Sequence, residues 1–259
     1  MIIKCDGKQL EWRTYLELSR DPVGIQEIND QVDVHADNQG IFRLPERIIA
    51  KRFLFRWIYR GPAFSYANDT DFIPTSSSQA FWQDVIDAAN NKYHVLYEYQ
   101  NRLIHRASLG EVITIPSGRE YVFEPHQKHH GGWEFSEPEI TNIPNQGFAA
   151  DIVAVARILA RRKLRKYDPS RVKMINTVHD DIELDVDNDA DLLYNISIDM
   201  EDSFKEVPEF YRKYFDYEFE VPIEGEIGYG ENLYDLEEIK FNRDRGVEQF
   251  YDDRDSECK

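Results

Sequence analysis

Met1-Ile2-Ile3-Lys4-Cys5-Asp6-Gly7-Lys8-Gln9-Leu10-Glu11-Trp12-Arg13 opens the chain. An apolar run ends in an aspartate, and Gln, Glu and Arg follow at short spacing. The pattern predicts a strand that delivers Asp6 at its end, with Gln9, Glu11 and Arg13 on a following helix. Four residues make a thin motif, so its weight depends on the motifs further along the chain. Far downstream, Val178-His179-Asp180-Asp181-Ile182-Glu183-Leu184-Asp185-Val186 alternates apolar and acidic residues beyond a His-Asp-Asp bend. That is the pattern of a β-hairpin with one half-buried face. Adjacent carboxylates repel, and a cation is what makes such a pair comfortable. Standing alone, the segment would read as an exposed acidic turn.

Between these two stretches lies Arg47-Ile48-Ile49-Ala50-Lys51-Arg52-Phe53-Leu54-Phe55-Arg56-Trp57-Ile58-Tyr59. Arg47, Lys51, Phe55 and Tyr59 recur every four residues. At roughly 100° per residue each step drifts by only about 40°, so the four share one broad helix face. Leu44-Pro45 supplies the entry. Ile48, Ile49, Phe53 and Trp57 are left for other faces and for burial. Without context, an amphipathic helix with snorkelling basic stems is the preferred reading of the segment. Asn142-Ile143-Pro144-Asn145-Gln146-Gly147-Phe148-Ala149-Ala150-Asp151 reads as a loop entering an Ala-rich helix, and Ile115 to Phe123 as a hairpin around Gly118.

Taken in this order, the stretches resemble family A (DNA polymerase I-like) DNA polymerases over residues 1 to about 235. Asp6 to Arg13 resembles the first catalytic motif, and Arg47 to Tyr59 the fingers helix. Asn142 to Asp151 resembles a helix start near the primer-template junction. Val178 to Val186 resembles the third motif, with Asp181 where most members have Glu. Val221-Pro222 to Gly230 resembles the last palm strand, and the 115–123 hairpin is of a kind associated with phage members.

The resemblance implies an α+β fold: a polymerase palm of antiparallel sheet and helices, with an inserted, mostly helical fingers domain. The expected division is 1–40 palm, 41–140 fingers, 141–235 palm, and 236–259 a flexible acidic tail. The implied function is template-directed DNA polymerase, adding deoxynucleotides to a primer 3′ end by a two-metal mechanism. Asp6, Asp180 and Lys51 are the expected catalytic residues. Asp6, Asp180 and the Gly7 carbonyl are expected to hold two Mg²⁺ ions, for which Mn²⁺ can substitute. Arg47, Lys51, His35, Phe55, Tyr59, Gln9 and Glu11 are expected at the incoming nucleotide, with Glu11 excluding a ribose hydroxyl. Asn142, Gln146, His179 and Arg13 are expected at primer-template DNA.

Three departures stand out. Gly7-Lys8 replace the family's usual Tyr-Ser, Arg60 separates Tyr59 from Gly61, and Asp181 is one methylene short of Glu. The rival readings are an inactive polymerase-like DNA-binding or scaffold subunit and a single-subunit RNA polymerase. Against the first stand Asp6 and Asp180; against the second stand Glu11, Phe55 and the Asn142/Gln146 segment. The first motif stands at the start of the sequence, where family members have several hundred residues before it. The expectation is therefore a split enzyme. A separate N-terminal subunit would carry the thumb and a 3′–5′ exonuclease, both absent here.

Composition agrees with a globular chain. No run approaches the roughly 20 apolar residues of a membrane span, and no leader pattern precedes the first strand. Cys5 and Cys258 are too few for a disulfide framework, which predicts a reduced, cytoplasmic protein, in a bacterial host if phage-encoded. His126, His129 and His130 sit beside Gly131-Gly132 without cysteines, which favours a loop over a metal site.

The net charge of −18 argues at first against DNA binding, but it is unevenly placed. Residues 181–259 hold 26 acids and 8 bases, while the other 180 residues hold 23 of each. Within 157–173, eight basic residues face only Asp168, a stripe that can track a nucleic-acid backbone or simply be solvated. Weak DNA affinity is expected of this chain alone.

Overall fold

The computed structural model describes residues 1–127, 131–234, 236–238 and 242–250. In chain order the elements begin with β1 (Ile2–Gly7), α1 (Leu10–Ser19), α2 (Pro22–Asn29), α3 (Val34–Ile41), α4 (Arg47–Ile58) and α5 (Ala63–Ala67). Next come α6 (Gln79–Lys92), α7 (His94–Ser108), β2 (Ile113–Thr114), β3 (Glu120–Tyr121), β4 (His126–Gln127) and β5 (Trp133–Glu134). The remainder is α8 (Glu137–Leu164), β6 (Val172–Val178), β7 (Asp181–Val186), α9 (Ala190–Lys205), α10 (Val207–Phe215), β8 (Gly225–Gly230), β9 (Glu237–Glu238) and a 3₁₀ segment (Arg243–Phe250) kinked at Gly246. Two compact units emerge: Met1–Leu10 with the chain from Ala149 onward, and Glu11–Phe148.

The first unit is built on an antiparallel sheet in the order β6-β7-β1-β8-β9. Alternation along β1 buries Ile3, Cys5 and Gly7 on one face. Ile182, Leu184, Val186 and Ile227 join that face, and α9, which packs on β1 and β8, brings Leu193, Ile196, Met200 and Phe204. Each aliphatic side chain so buried contributes about 1.5–3 kcal/mol. Gly225 lets the layers close, since a Cβ there would lie 2.6 Å from the Cys5 sulfur. The register sets Asp6 opposite Asp181 and Lys4 opposite Glu183, so the other sheet face is a charged column. A one-residue slip would turn that column into the core, so the register is strongly specified.

The second unit is helical. α4 buries Phe53, Leu54, Trp57 and Ile58. Phe53 packs against the rings of Tyr66 and Trp82, at centroid distances of 5.3 and 6.2 Å. Arg56 lies over Tyr66 and Phe72 and binds Asp69 at 2.6 Å. Buried Asp21 caps α2 and also accepts from the Leu96 amide. Glu27, Asn38, Lys92 and Tyr93 form a bonded polar cluster beneath. α4 ends with the Arg60 amide on the Trp57 carbonyl and the Gly61 amide on the Arg56 carbonyl. This is a Schellman motif with Arg60, at φ 60°, in the position glycine usually takes. Gly61 is held for another reason: a Cβ would fall 2.4 Å from Arg56 Cγ.

Several expectations change. Residues 11–40 belong to the helical unit rather than to the sheet. Gln9 lies in the turn before α1, at φ 48°, not on the helix. Ile48 is 43% exposed, because α4 turns its aromatic side, not this residue, to the core. α8 begins at Glu137, a turn before Asn142, so Pro144 lies within the helix. The described part of the acidic tail carries secondary structure. β9 pairs with β8, and the 3₁₀ helix sits on α9 through Arg243 with Glu201 and Asp202. Phe250 packs at 5.2 Å from the Tyr229 ring. His126 pairs into a β4–β5 hairpin, while His129, His130 and Cys258 lie outside the described residues.

Candidate functional site

The carboxylates come together where β1 ends and β6 turns into β7. β1 carries Asp6 next to its last residue, Gly7. The two-residue bend His179-Asp180 joins β6 to β7, with His179 in the left-handed region at φ 53°. The Gly7 amide donates to the Asp180 carbonyl at 3.2 Å, tying bend to strand. Carboxylate oxygens of Asp6, Asp180 and Asp181 lie within 4.8 Å of one another. Burial, then the charges of Asp180 and Asp181, push the Asp6 pKa up to about 8. Asp181 Oδ1 is buried without a donor among the described residues. Such a set stores repulsion that a cation relieves.

One cation of the chain already touches the cluster. Lys4 Nζ binds Asp181 Oδ2 at 2.9 Å. Burial disfavours the ammonium, yet Asp181, Asp6 and Asp180 hold its pKa above the ordinary value. Gly7 has its Cα against Leu10 and Phe204, where a Cβ would meet carbons at 3.0 and 3.3 Å. The backbone conformation is ordinary there, so the glycine answers to packing.

The helical unit carries the second group of predicted residues. Arg47 and Lys51 are exposed, and Phe55 and Tyr59 half-buried, on one face of α4. Lys51, Phe55 and Tyr59 line a cleft of about 710 Å³ with Arg56, Pro62 and Phe72. His35 is buried on α3, its ring 6.2 Å from that of Phe55. Burial, then Arg47 and Lys51, lower its pKa to about 4, so it is neutral at pH 7. Its Nδ1 is buried without a partner among the described residues. Asp33 organises the group by capping α3 through the His35 and Ala36 amides and binding Arg47 Nε at 2.8 Å.

Glu11 sits in the first turn of α1, and buried Asn145 donates to its carbonyl at 3.2 Å. Asn142 and Gln146 are one turn apart on α8; Gln146 is exposed, and Asn142 Oδ1 is buried without a partner among the described residues. Gly147 is required, because a Cβ would collide with the Tyr121 hydroxyl. Arg13, predicted at DNA, is only 3% exposed. His179 is exposed beside Asp180. Sequence reasoning misses Lys4, Asp33 and Asn145: the first needs the register, the others need tertiary contacts.

Comparison with known proteins decides the family. The family model described as DNA polymerase family A matches residues 1–235. The chain belongs to that family. DNA polymerase I of Pseudomonas aeruginosa is 28% identical over 197 residues, covering 73% of this chain and 21% of its own. The DNA polymerase I of Caldicellulosiruptor bescii is 27% identical over 191 residues, covering 70% and 22%. This family A chain thus spans about a fifth of the length of such relatives. The POL domain of Pol1 from M. smegmatis, solved in complex with DNA primer-template and dNTP, superposes with a TM-score of 0.72. It covers 88% of this chain and 39% of that one at 20% identity, so it speaks to the fold, which is α+β.

Proposed function

We propose that these residues carry template-directed deoxynucleotidyl transfer to a primer 3′ end. The observation that carries the reading is the convergence of Asp6, Asp180 and Asp181 inside a family A match over residues 1–235. The donor set is all oxygen, which suits Mg²⁺ or Mn²⁺ rather than a thiophilic metal. The close approach of the carboxylates and the raised Asp6 pKa fit a cation in that place. Asp6 and Asp180, with the Gly7 carbonyl, would hold two divalent ions. Those ions supply charge neutralisation at the attacking and leaving oxygens.

The protein's own groups do the rest. Arg47 and Lys51 offset triphosphate charge, and Lys51 is the group for the developing charge of the transferred phosphoryl. His35, neutral when empty, offers a donor or acceptor there. Phe55 packs against the sugar, Glu11 excludes a 2′ hydroxyl by sterics, and Tyr59 covers the templating position. Gln9 assists at the nucleotide, and Asn142, Gln146 and His179 contact the primer-template.

We further propose that a separate subunit with a thumb holds the duplex. Charge supports this: of the basic residues in 157–173, Lys163, Lys166 and Arg171 are ion-paired within the chain. Arg157, Arg161, Arg162, Arg165 and Lys173 are exposed and have no acidic partner among the described residues, so the cationic surface this stretch offers a duplex is five side chains. The 113–121 hairpin supports a bacteriophage-type member working in a bacterial cytoplasm. Primer extension tests both parts. The chain alone is expected to extend poorly and to gain activity with its partner. Processive synthesis by the monomer would contradict the partner, and no incorporation with any partner would contradict the polymerase reading.

A further inference from the structure

The charged face of the sheet has a feature that the nucleotidyl-transfer reading does not use. Lys4 stands directly opposite Glu183 in the β1–β7 register, and Asp181 is its diagonal neighbour. Diagonal pairs lie roughly 7–8 Å apart, within reach of a long side chain. Glu183 is the nearer seat and is itself buried, with Oε2 lacking a partner among the described residues. Lys4 nevertheless makes its ion pair with Asp181, at 2.9 Å. Its side chain keeps 32% exposure and that of Asp181 only 16%, so the pair is partly shielded from solvent. Lys4 takes one oxygen of Asp181, which also faces the Asp6 carboxyl at side-chain hydrogen-bonding range.

We propose that Lys4 is a positioning residue that holds Asp181 out of the metal's ligand shell, leaving Asp6 and Asp180 as the binding pair. The inference rests on the metal reading given above. Charge has two consequences here. Lys4 lowers the negative field at Asp6 and Asp180, so the site binds divalent ions less tightly than three free carboxylates would. It also eases the cation-free sheet, where three carboxylates lie within 4.8 Å of one another and repel.

The test is Mn²⁺ binding to the full chain, without DNA or nucleotide, followed by electron paramagnetic resonance at fixed pH and ionic strength. Lys4→Met should bind Mn²⁺ about tenfold more tightly, because a unit charge is removed near a divalent ion and Asp181 is released to it. Lys4→Arg should stay near wild type. Asp181→Asn should bind about tenfold more weakly, since the ammonium then turns on the remaining carboxylates. The double variant should return close to wild type. Opposite signs from the two halves of one ion pair are not what simple loss of structure produces. Equal or weaker binding in Lys4→Met overturns the proposal, as does a double variant as tight as Lys4→Met. If Lys4→Met does not fold, unchanged binding in Asp181→Asn overturns it alone. Asp180→Asn checks the underlying reading separately: wild-type affinity there would remove the metal site itself.

Discussion

The carboxylate end of the sheet and the α4 face of the helical unit are made by opposite means. The sheet brings three acids within 4.8 Å and leaves one oxygen orphaned, with Asp6 pushed up to about 8. α4 presents its cations from a helix whose other side is fixed by stacked rings and by the Arg56–Asp69 bond. On the proposed reading, electrostatic discomfort is concentrated where cations would be held, and rigidity where a ligand would be gripped. The difference predicts opposite responses to mutation. Change at the sheet should remove chemistry and spare or strengthen the fold, while change behind α4 should weaken the fold first.

The largest expected effect is on chemistry. Asp6→Ala or Asp180→Ala should lower single-nucleotide incorporation by about a thousandfold or more, since each removes a metal ligand. At the same time Asp6→Asn should raise the melting temperature of the cation-free chain by about 2–4 °C, the shift that 1 kcal/mol makes at this size. A fall in melting temperature would break the contrast. Behind α4, Gly61→Ala should destabilise by about 1–3 kcal/mol, because the new methyl overlaps Arg56. Urea unfolding measures it, and a change under about 0.5 kcal/mol, the ordinary spread of surface substitutions, would contradict the packing account.

Acid should expose the helical unit through His35. Its pKa in the fold, about 4, lies below the ordinary 6.5, so the unfolded chain binds the extra proton between those values. This group's stabilising contribution is present above pH 6.5 and is lost as pH falls toward 4. His35→Gln should flatten that part of the stability profile, and an unchanged slope would place the His35 ring in solvent. The smallest effect is expected at Arg60. Replacing it with Gly relieves a left-handed backbone, by about 1 kcal/mol, but forfeits the bond to Asn101 and the stacking on Tyr97. The net change should stay within about 1 kcal/mol.

Much of the contrast is legible in the sequence. Asp6 and Asp180 stand out through the order in which their segments resemble family A motifs, since the second alone would read as an exposed acidic turn. The i, i+4 spacing of Arg47, Lys51, Phe55 and Tyr59 fixes one helix face by geometry alone. The illegible part depends on pairing. Lys4 looks like any exposed strand residue until the register places it diagonal to Asp181. Asn145, one residue from Gln146, is buried on the Glu11 carbonyl because of the helix phase at α8. The 3₁₀ helix at 243–250 is highly charged and lacks a long apolar run, yet Phe250 and the Arg243 ion pairs suffice to seat it on α9 and β8.

The central claim is that the sheet carboxylates form a cation-dependent nucleotidyl-transfer centre. Single-turnover incorporation of one deoxynucleotide onto a primed template, with protein in excess and Mg²⁺ titrated, tests it most directly, run in parallel on wild type and Asp180→Asn with any partner subunit present. The account predicts Mg²⁺-dependent extension by wild type and a rate about a thousandfold or more lower in the variant at every Mg²⁺ concentration. Extension by Asp180→Asn within about tenfold of wild type would contradict it.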